Sequence, residues 1–214
     1  MARAWHRFIR PIIGSFRKQR GERIRQEFPG LASMRVLDLG GSVHFWFESG
    51  LIDHVGQVVI YNISNSEVDI ANQSNQKIQF KLYDGANLPE IDASFDLVLS
   101  NSVLEHIPLQ GRAQVAREMI RVGCRGFVQT PAFEFPVEPH FVMPFIHWFP
   151  RSVGRYLVRL SPWALLSRHS SKVQDAYFSE VRLLSKSDGI ELYPKQLIGA
   201  ERFMGLPKAW IVTW

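Results

Sequence analysis

At 214 residues, 46% of them hydrophobic and 21% charged, the chain is long enough for one well-cored domain and has an ordinary globular composition. A single cysteine, Cys124, excludes an internal disulfide framework and is expected to be a buried or half-buried bystander thiol in a reducing compartment. No apolar run reaches the ~20 residues of a membrane span, and no segment reads as a secretory signal, so a cytoplasmic location is expected.

The net charge of +5 is concentrated at the start. Residues 1–27 hold Arg3, Arg7, Arg10, Arg17, Lys18, Arg20, Arg23 and Arg25 against Glu22 and Glu27, and the rest of the chain is close to neutral. Trp5, Phe8, Ile9, Ile12, Ile13 and Phe16 are interleaved with these charges, and Pro11 limits helix continuity. Residues 1–27 therefore read as a basic amphipathic extension, helical over 12–27. It would meet an anionic membrane surface, giving peripheral membrane contact, or an acidic partner, or cover a cleft of its own domain. Nucleic acid is not expected, because the basic patch stops at the extension.

From 28 to 214 the pattern is that of a single α/β domain. Strands are predicted at Val36–Leu39, Val58–Tyr61, Ile78–Tyr83, Phe95–Ser100 and Phe127–Gln129, the last stopped by Thr130-Pro131. A helix opens at Val103 and another spans Gln110–Arg121. Near-continuous apolar strands separated by helix-length segments indicate a parallel sheet covered on both faces. Leu197–Met204 and Ala209–Trp214, joined through Gly205-Leu206-Pro207, read as an antiparallel edge hairpin. Between the fifth strand and this hairpin lies an insertion at about 132–178, rich in aromatics and prolines. Placed after a strand's carboxyl end, it would overhang a site as a lid, or else form a satellite hydrophobic cluster or a dimer contact.

Val36-Leu37-Asp38-Leu39-Gly40-Gly41-Ser42 is a buried strand breaking into a glycine turn, where backbone can approach a ligand closely. Leu82-Tyr83-Asp84-Gly85-Ala86-Asn87-Leu88-Pro89 follows the third strand. Asp92-Ala93-Ser94-Phe95-Asp96-Leu97-Val98-Leu99-Ser100 then leads to Val103-Leu104-Glu105-His106, and Glu138-Pro139-His140 and Glu201-Arg202-Phe203-Met204-Gly205-Leu206-Pro207-Lys208-Ala209-Trp210 come later. In this order the motifs resemble class I S-adenosylmethionine-dependent methyltransferases of the type 11 kind, over roughly Leu31 to Trp214. The resemblance implies a Rossmann-like, doubly wound seven-stranded sheet, mostly parallel, with an antiparallel C-terminal edge hairpin. It also implies S-adenosylmethionine as cofactor.

On that resemblance, the backbone at Gly40, Gly41 and Ser42 would hold the cofactor's methionine carboxylate. Asp38 would take its ammonium group, order the loop, or simply cap the turn. Asp84, Gly85 and Ala86 would contact adenine, Asp84 through its carboxylate and Ala86 through its N–H, unless Asp84 is only an Asp-Gly turn residue. Asn101 and Ser102 would stand where the methyl group sits. Two positions depart from the family's usual pattern. Ser42-Val43-His44 lacks a third glycine, and Asn62 replaces the acid that grips the ribose hydroxyls. Glu67 or Asp69 would compensate were the strand register shifted.

Methyl transfer is an in-line displacement that depends mainly on positioning, with a base needed only if the acceptor loses a proton. His106 and His140 are the candidate catalytic residues, the alternatives being helix-start packing for His106 and a pocket wall for His140. Glu138, His140 and His147 form no recognisable metal motif, and no metal is expected. The G-x-G-x-x-G spacing of a nicotinamide dehydrogenase is absent. The expected function is methyl transfer to a small-molecule, glycan or lipid-like acceptor, a glycolipid-like hydroxyl being one form. The alternative is a non-catalytic protein of the same fold that docks to a membrane or partner.

Overall fold

The computed structural model describes residues 2–64 and 76–214, with side chains in the first helix from residue 14 onward. Glu67 and Asp69 lie outside the described residues. Helix α1 (Ala2–Glu27) runs unbroken through Pro11, losing only the backbone donor that proline lacks. Five parallel strands follow: β1 (Arg35–Leu39), β2 (Gln57–Asn62), β3 (Ile78–Leu82), β4 (Leu97–Asn101) and β5 (Gly126–Pro131). A small ribbon of β6 (Val137–Glu138) and β7 (Met143–Pro144) opens the insertion, and β8 (Leu197–Phe203) and β9 (Leu206–Thr213) close the chain. The seven-stranded sheet has the order β3-β2-β1-β4-β5-β9-β8, with β9 antiparallel to both neighbours. This is the Rossmann-like, doubly wound topology that the resemblance implies.

The parallel strands are apolar because both of their faces are covered. One face holds Val36, Leu97, Phe127 and Ile211 under Ile24 and Phe28 of α1 and its C-terminal end, and under Trp46 of α2 (Val43–Glu48). The other holds Leu37, Val98 and Val212 under Val115 and Met119 of α3 (Leu109–Val122), with Tyr193 just beyond the last helix. The insertion adds α4 (Arg151–Leu157), α5 (Pro162–Ser167) and α6 (Ser171–Glu180) around its own core of Phe141, Ile146, Val158, Trp163 and Phe178. Helix α7 (Lys186–Leu192) returns the chain to the sheet, starting from a capping box between Ser185 and Asp188. Strand order reverses between β1 and β4, which opens a crevice at their carboxyl ends, the place where such sheets bind ligands.

Some boundaries differ from the sequence pattern. Leu104–His106 forms one 3-10 turn rather than a helix from Val103, because Pro108 excludes α geometry at the residue before it. Strand β5 continues through Pro131, which as its last residue pairs with Ala209 and needs no donor. The hairpin turns at Met204-Gly205, with φ of +50° and +83°, so Leu206 and Pro207 already lie in β9 beside a bulge at Glu201/Arg202. Cys124 is exposed, in the loop entering β5. No helix among the described residues is long and apolar enough to cross a membrane.

Candidate active site

The glycine turn is fixed by what lies beneath it. Gly40 adopts φ of +67° and donates its N–H to the Tyr61 carbonyl at 2.7 Å. A Cβ there would lie 2.6 Å from Val103 Cγ1, so the position is closed to other residues by conformation and by space. Asp38 is fully buried and accepts a hydrogen bond from Trp46 Nε1 at 2.8 Å. Gly41 packs directly on that carboxylate, where a Cβ would overlap it. Asp38 thereby orders the loop, its carboxylate sitting directly under the turn. Ser42 caps α2, its Oγ accepting a long hydrogen bond of 3.4 Å from the Phe45 N–H.

Asn62 stands beside this turn at the end of β2. Its Nδ2 donates to the Gly41 carbonyl at 3.2 Å, and its Oδ1 accepts the N–H groups of Ile63 and Ser64. The side chain thus staples β2 to the glycine turn, a task for which an amide supplies a donor as well as an acceptor, whereas a carboxylate only accepts. At the end of β3, Asp84 Oδ1 accepts from the N–H groups of Ala86 (2.8 Å) and Asn87 (2.7 Å). These bonds, that from Asn87 foremost, hold the Asp84 carboxyl below its ordinary range. The Ala86 N–H is thus engaged inside the loop by Asp84. Gly85, at φ of +84°, brings the loop against Ile63.

At the end of β4, Asn101 Oδ1 accepts from Arg20 Nη1 of α1 at 2.5 Å. Arg20, 7% exposed, also pairs with Glu201 of β8 at 2.9 Å, and Glu201 is bonded in turn to Lys208. Arg17 reaches Glu48 at 2.6 Å. Helix α1 from Arg17 onward is thus tied across the domain and reaches the crevice. Ser102 follows with φ of +56°, a strained value for a residue other than glycine, held by its N–H and Oγ on Gln129.

The insertion completes the site. Glu105, completely buried, accepts from Thr130 Oγ1 through Oε2 and turns Oε1 toward His140 Nε2 at 3.8 Å. His140 Nδ1 lies 2.7 Å from Glu138, whose other oxygen takes the Phe141 N–H at 2.8 Å. The His106 and His140 rings meet edge to face at 5.0 Å, and Tyr177 of α6 stacks on His106. Burial works against a charged His140, but Glu138 and the fields of Glu105 and Glu180 outweigh it and raise the imidazole above its ordinary value. Burial raises the Glu105 carboxyl, and the two histidines only partly offset this. The structure therefore brings His106 and His140 together, across 34 residues of chain, and adds Glu105, Glu138, Tyr177 and Glu180. The candidate cofactor residues form a separate group along the ends of β1, β2 and β3, with Asn101 between the two.

A family model described as a methyltransferase domain matches residues 37–126, from β1 to the start of β5. Over that span the sequence is similar to that domain, and the fold is that of class I S-adenosylmethionine-dependent methyltransferases. Solved structures that it resembles are named as S-adenosylmethionine-dependent. The positive-φ turn at Gly40, closed to side chains and packed on a buried carboxylate, fits the close backbone approach that such a cofactor requires. A methyltransferase from Aquifex aeolicus superposes with a TM-score of 0.55 at 14% identity, over 90% of this chain and 87% of that one. One from Mesorhizobium loti gives 0.55 at 16%, over 90% and 95%. A protein from Rhodobacter sphaeroides named as a Zn-dependent alcohol dehydrogenase gives 0.57 at 16%, over 88% of each chain. At these identities the likeness is one of fold. No curated protein matches the sequence.

Proposed function

We propose that this methyltransferase domain is catalytic and moves the methyl group of S-adenosylmethionine onto a small, amphipathic acceptor hydroxyl, of glycan or lipid-like type. When bound, the cofactor supplies an electrophilic methyl group. The chain's own part is to hold the acceptor in line with it and to activate its oxygen. The observation that carries the reading is the union of His140, from the insertion, with His106 at the end of β4. It places two imidazoles, each oriented by a carboxylate, beside the crevice. His106 and His140 then activate the acceptor, and Glu138 and Glu180 are positioning residues. Gly40, Gly41 and Ser42 shape the cofactor turn, Asn62 and Asp84 hold the loops beside it, and Asn101 lies nearest the acceptor.

The surface of the insertion supports an amphipathic acceptor. Phe145, Trp148, Phe149, Tyr156, Leu160 and Leu165 are all more than a third exposed. That surface, together with the basic extension, favours work at a membrane face from the cytoplasm. Incubation with S-adenosylmethionine and a panel of glycolipid and small hydroxyl acceptors should produce S-adenosylhomocysteine, with His140→Ala losing at least tenfold in turnover. A second reading, a docking protein without activity, draws on the inward-facing bonds of Asn62 and Asp84. Cofactor binding without turnover on any acceptor would favour it.

A further inference from the structure

We propose that Glu105, His106 and His140 form a binding site for one divalent transition-metal cation of the zinc or iron(II) type. A donor atom from each residue lies within 4.8 Å of the other two. Two histidines and one carboxylate are a donor set that such cations accept while keeping positions open for a further ligand.

Three independent observations point to a cation. Glu105 Oε1 is buried and has no hydrogen-bond partner, although Oε2 is satisfied by Thr130. A buried carboxylate oxygen without a hydrogen bond is costly, and this one has only the more distant His140 Nε2 before it, at 3.8 Å. Both imidazoles are also gripped from behind: His140 Nδ1 by Glu138 at 2.7 Å and His106 Nδ1 by Glu180 at 3.2 Å. That is the arrangement that orients metal-ligating histidines and raises their basicity. Finally, three carboxylates surround two imidazoles, and the neighbouring Arg112 serves other groups. Arg112 donates to the Glu105, Ile107 and Arg182 carbonyls rather than to the Glu105 carboxylate. A divalent cation would offset this excess of negative charge.

Bond lengths of about 2.0–2.2 Å require the donors to close inward by roughly an ångström. His106 can supply that movement, since it sits on a single 3-10 turn with its side chain 29% exposed, and it also marks the way in for the ion. The site lies beside the proposed acceptor position, where a cation would activate a coordinated hydroxyl. That consequence rests on the methyltransferase reading; cation binding itself does not.

Calorimetric titration of zinc chloride into the full chain, stripped with chelator and free of S-adenosylmethionine, tests the proposal. One zinc ion per chain is expected, with affinity lowered about 100-fold or more by His106→Ala or His140→Ala and about 10- to 100-fold by Glu138→Gln. His106→Ala alters a part-exposed residue and should keep the wild-type circular dichroism and cofactor binding, so its loss of zinc reports on the site. No zinc binding at millimolar concentration, or equal binding by wild type, His106→Ala and His140→Ala, would overturn the assignment. Separate titration with S-adenosylmethionine shows whether the methyltransferase reading fails independently.

Discussion

Replacing Gly41 by alanine adds one methyl group at the tightest point of the cofactor turn. That methyl would overlap the carboxylate of Asp38, which is fully buried and fixed by Trp46 Nε1 at 2.8 Å. To make room, Asp38 must surrender a hydrogen bond to a charged group, about 1.5–3 kcal/mol, or the turn must move. Overpacking of this kind costs about 1–3 kcal/mol by itself. A total near 3 kcal/mol should lower the melting temperature of a chain this size by about 9 °C. Scanning calorimetry reads the first effect, and titration with S-adenosylmethionine reads a loss of at least tenfold in affinity. Gly50→Ala is the control. Gly50 has φ of +75° but nothing within 4 Å of an added Cβ, so it should cost about 1–2 kcal/mol in strain and leave cofactor affinity unchanged. A Gly41→Ala protein that melts within 2 °C of wild type and binds cofactor normally would refute the packing of the turn on Asp38.

Asn62→Asp exchanges the donor on Gly41 for a carboxylate oxygen facing a carbonyl 3.2 Å away. Cofactor affinity should fall several-fold, in line with about 1 kcal/mol lost, and a gain in calorimetry would restore a direct ribose role. Arg20→Ala leaves Glu201 with Lys208 alone and should cost about 3 kcal/mol in urea unfolding, with α1 becoming open to limited proteolysis; a cost below about 1 kcal/mol would contradict the strut. The bond from Arg121, joined by that from the Leu88 N–H, keeps the Glu118 carboxyl below its ordinary value near 4.5 despite burial. Its contribution is full above pH 4.5 and is lost as pH falls through the lower folded value. Melting temperature should therefore drop in acid, and Glu118→Gln should flatten that drop; an unchanged profile would remove the pair as its cause.

The sheet was legible because strands buried on both faces must be apolar throughout, and Val36–Leu39, Val58–Tyr61 and the run before Asn101 have no polar face to hide them. Ends were less legible. Pro108 cut a helix to one turn, and the hairpin turns at Met204-Gly205, both at positive φ, rather than through Gly205-Leu206-Pro207, because Leu206 and Pro207 pair in β9. The cofactor turn could be found from Gly40-Gly41, but not the bonding of Asn62 and Asp84, whose short polar side chains close on their own loops. Glu105 lay beside His106 in plain sight, yet its meaning depends on His140 and on Glu180, 74 residues beyond His106. Those partners are set by how Phe141, Trp163 and Phe178 pack the insertion, which no local spacing reveals. The reach of Arg20 to Asn101 and Glu201 is likewise a matter of tertiary placement.

The central claim is that the carboxyl ends of β1, β2 and β3 hold S-adenosylmethionine. Titration of the full chain with S-adenosylhomocysteine, followed by calorimetry, tests it most directly. One molecule bound per chain, with affinity reduced at least tenfold by Gly41→Ala and unchanged by Gly50→Ala, is the result expected. No binding at millimolar ligand, or binding indifferent to Gly41, would contradict it.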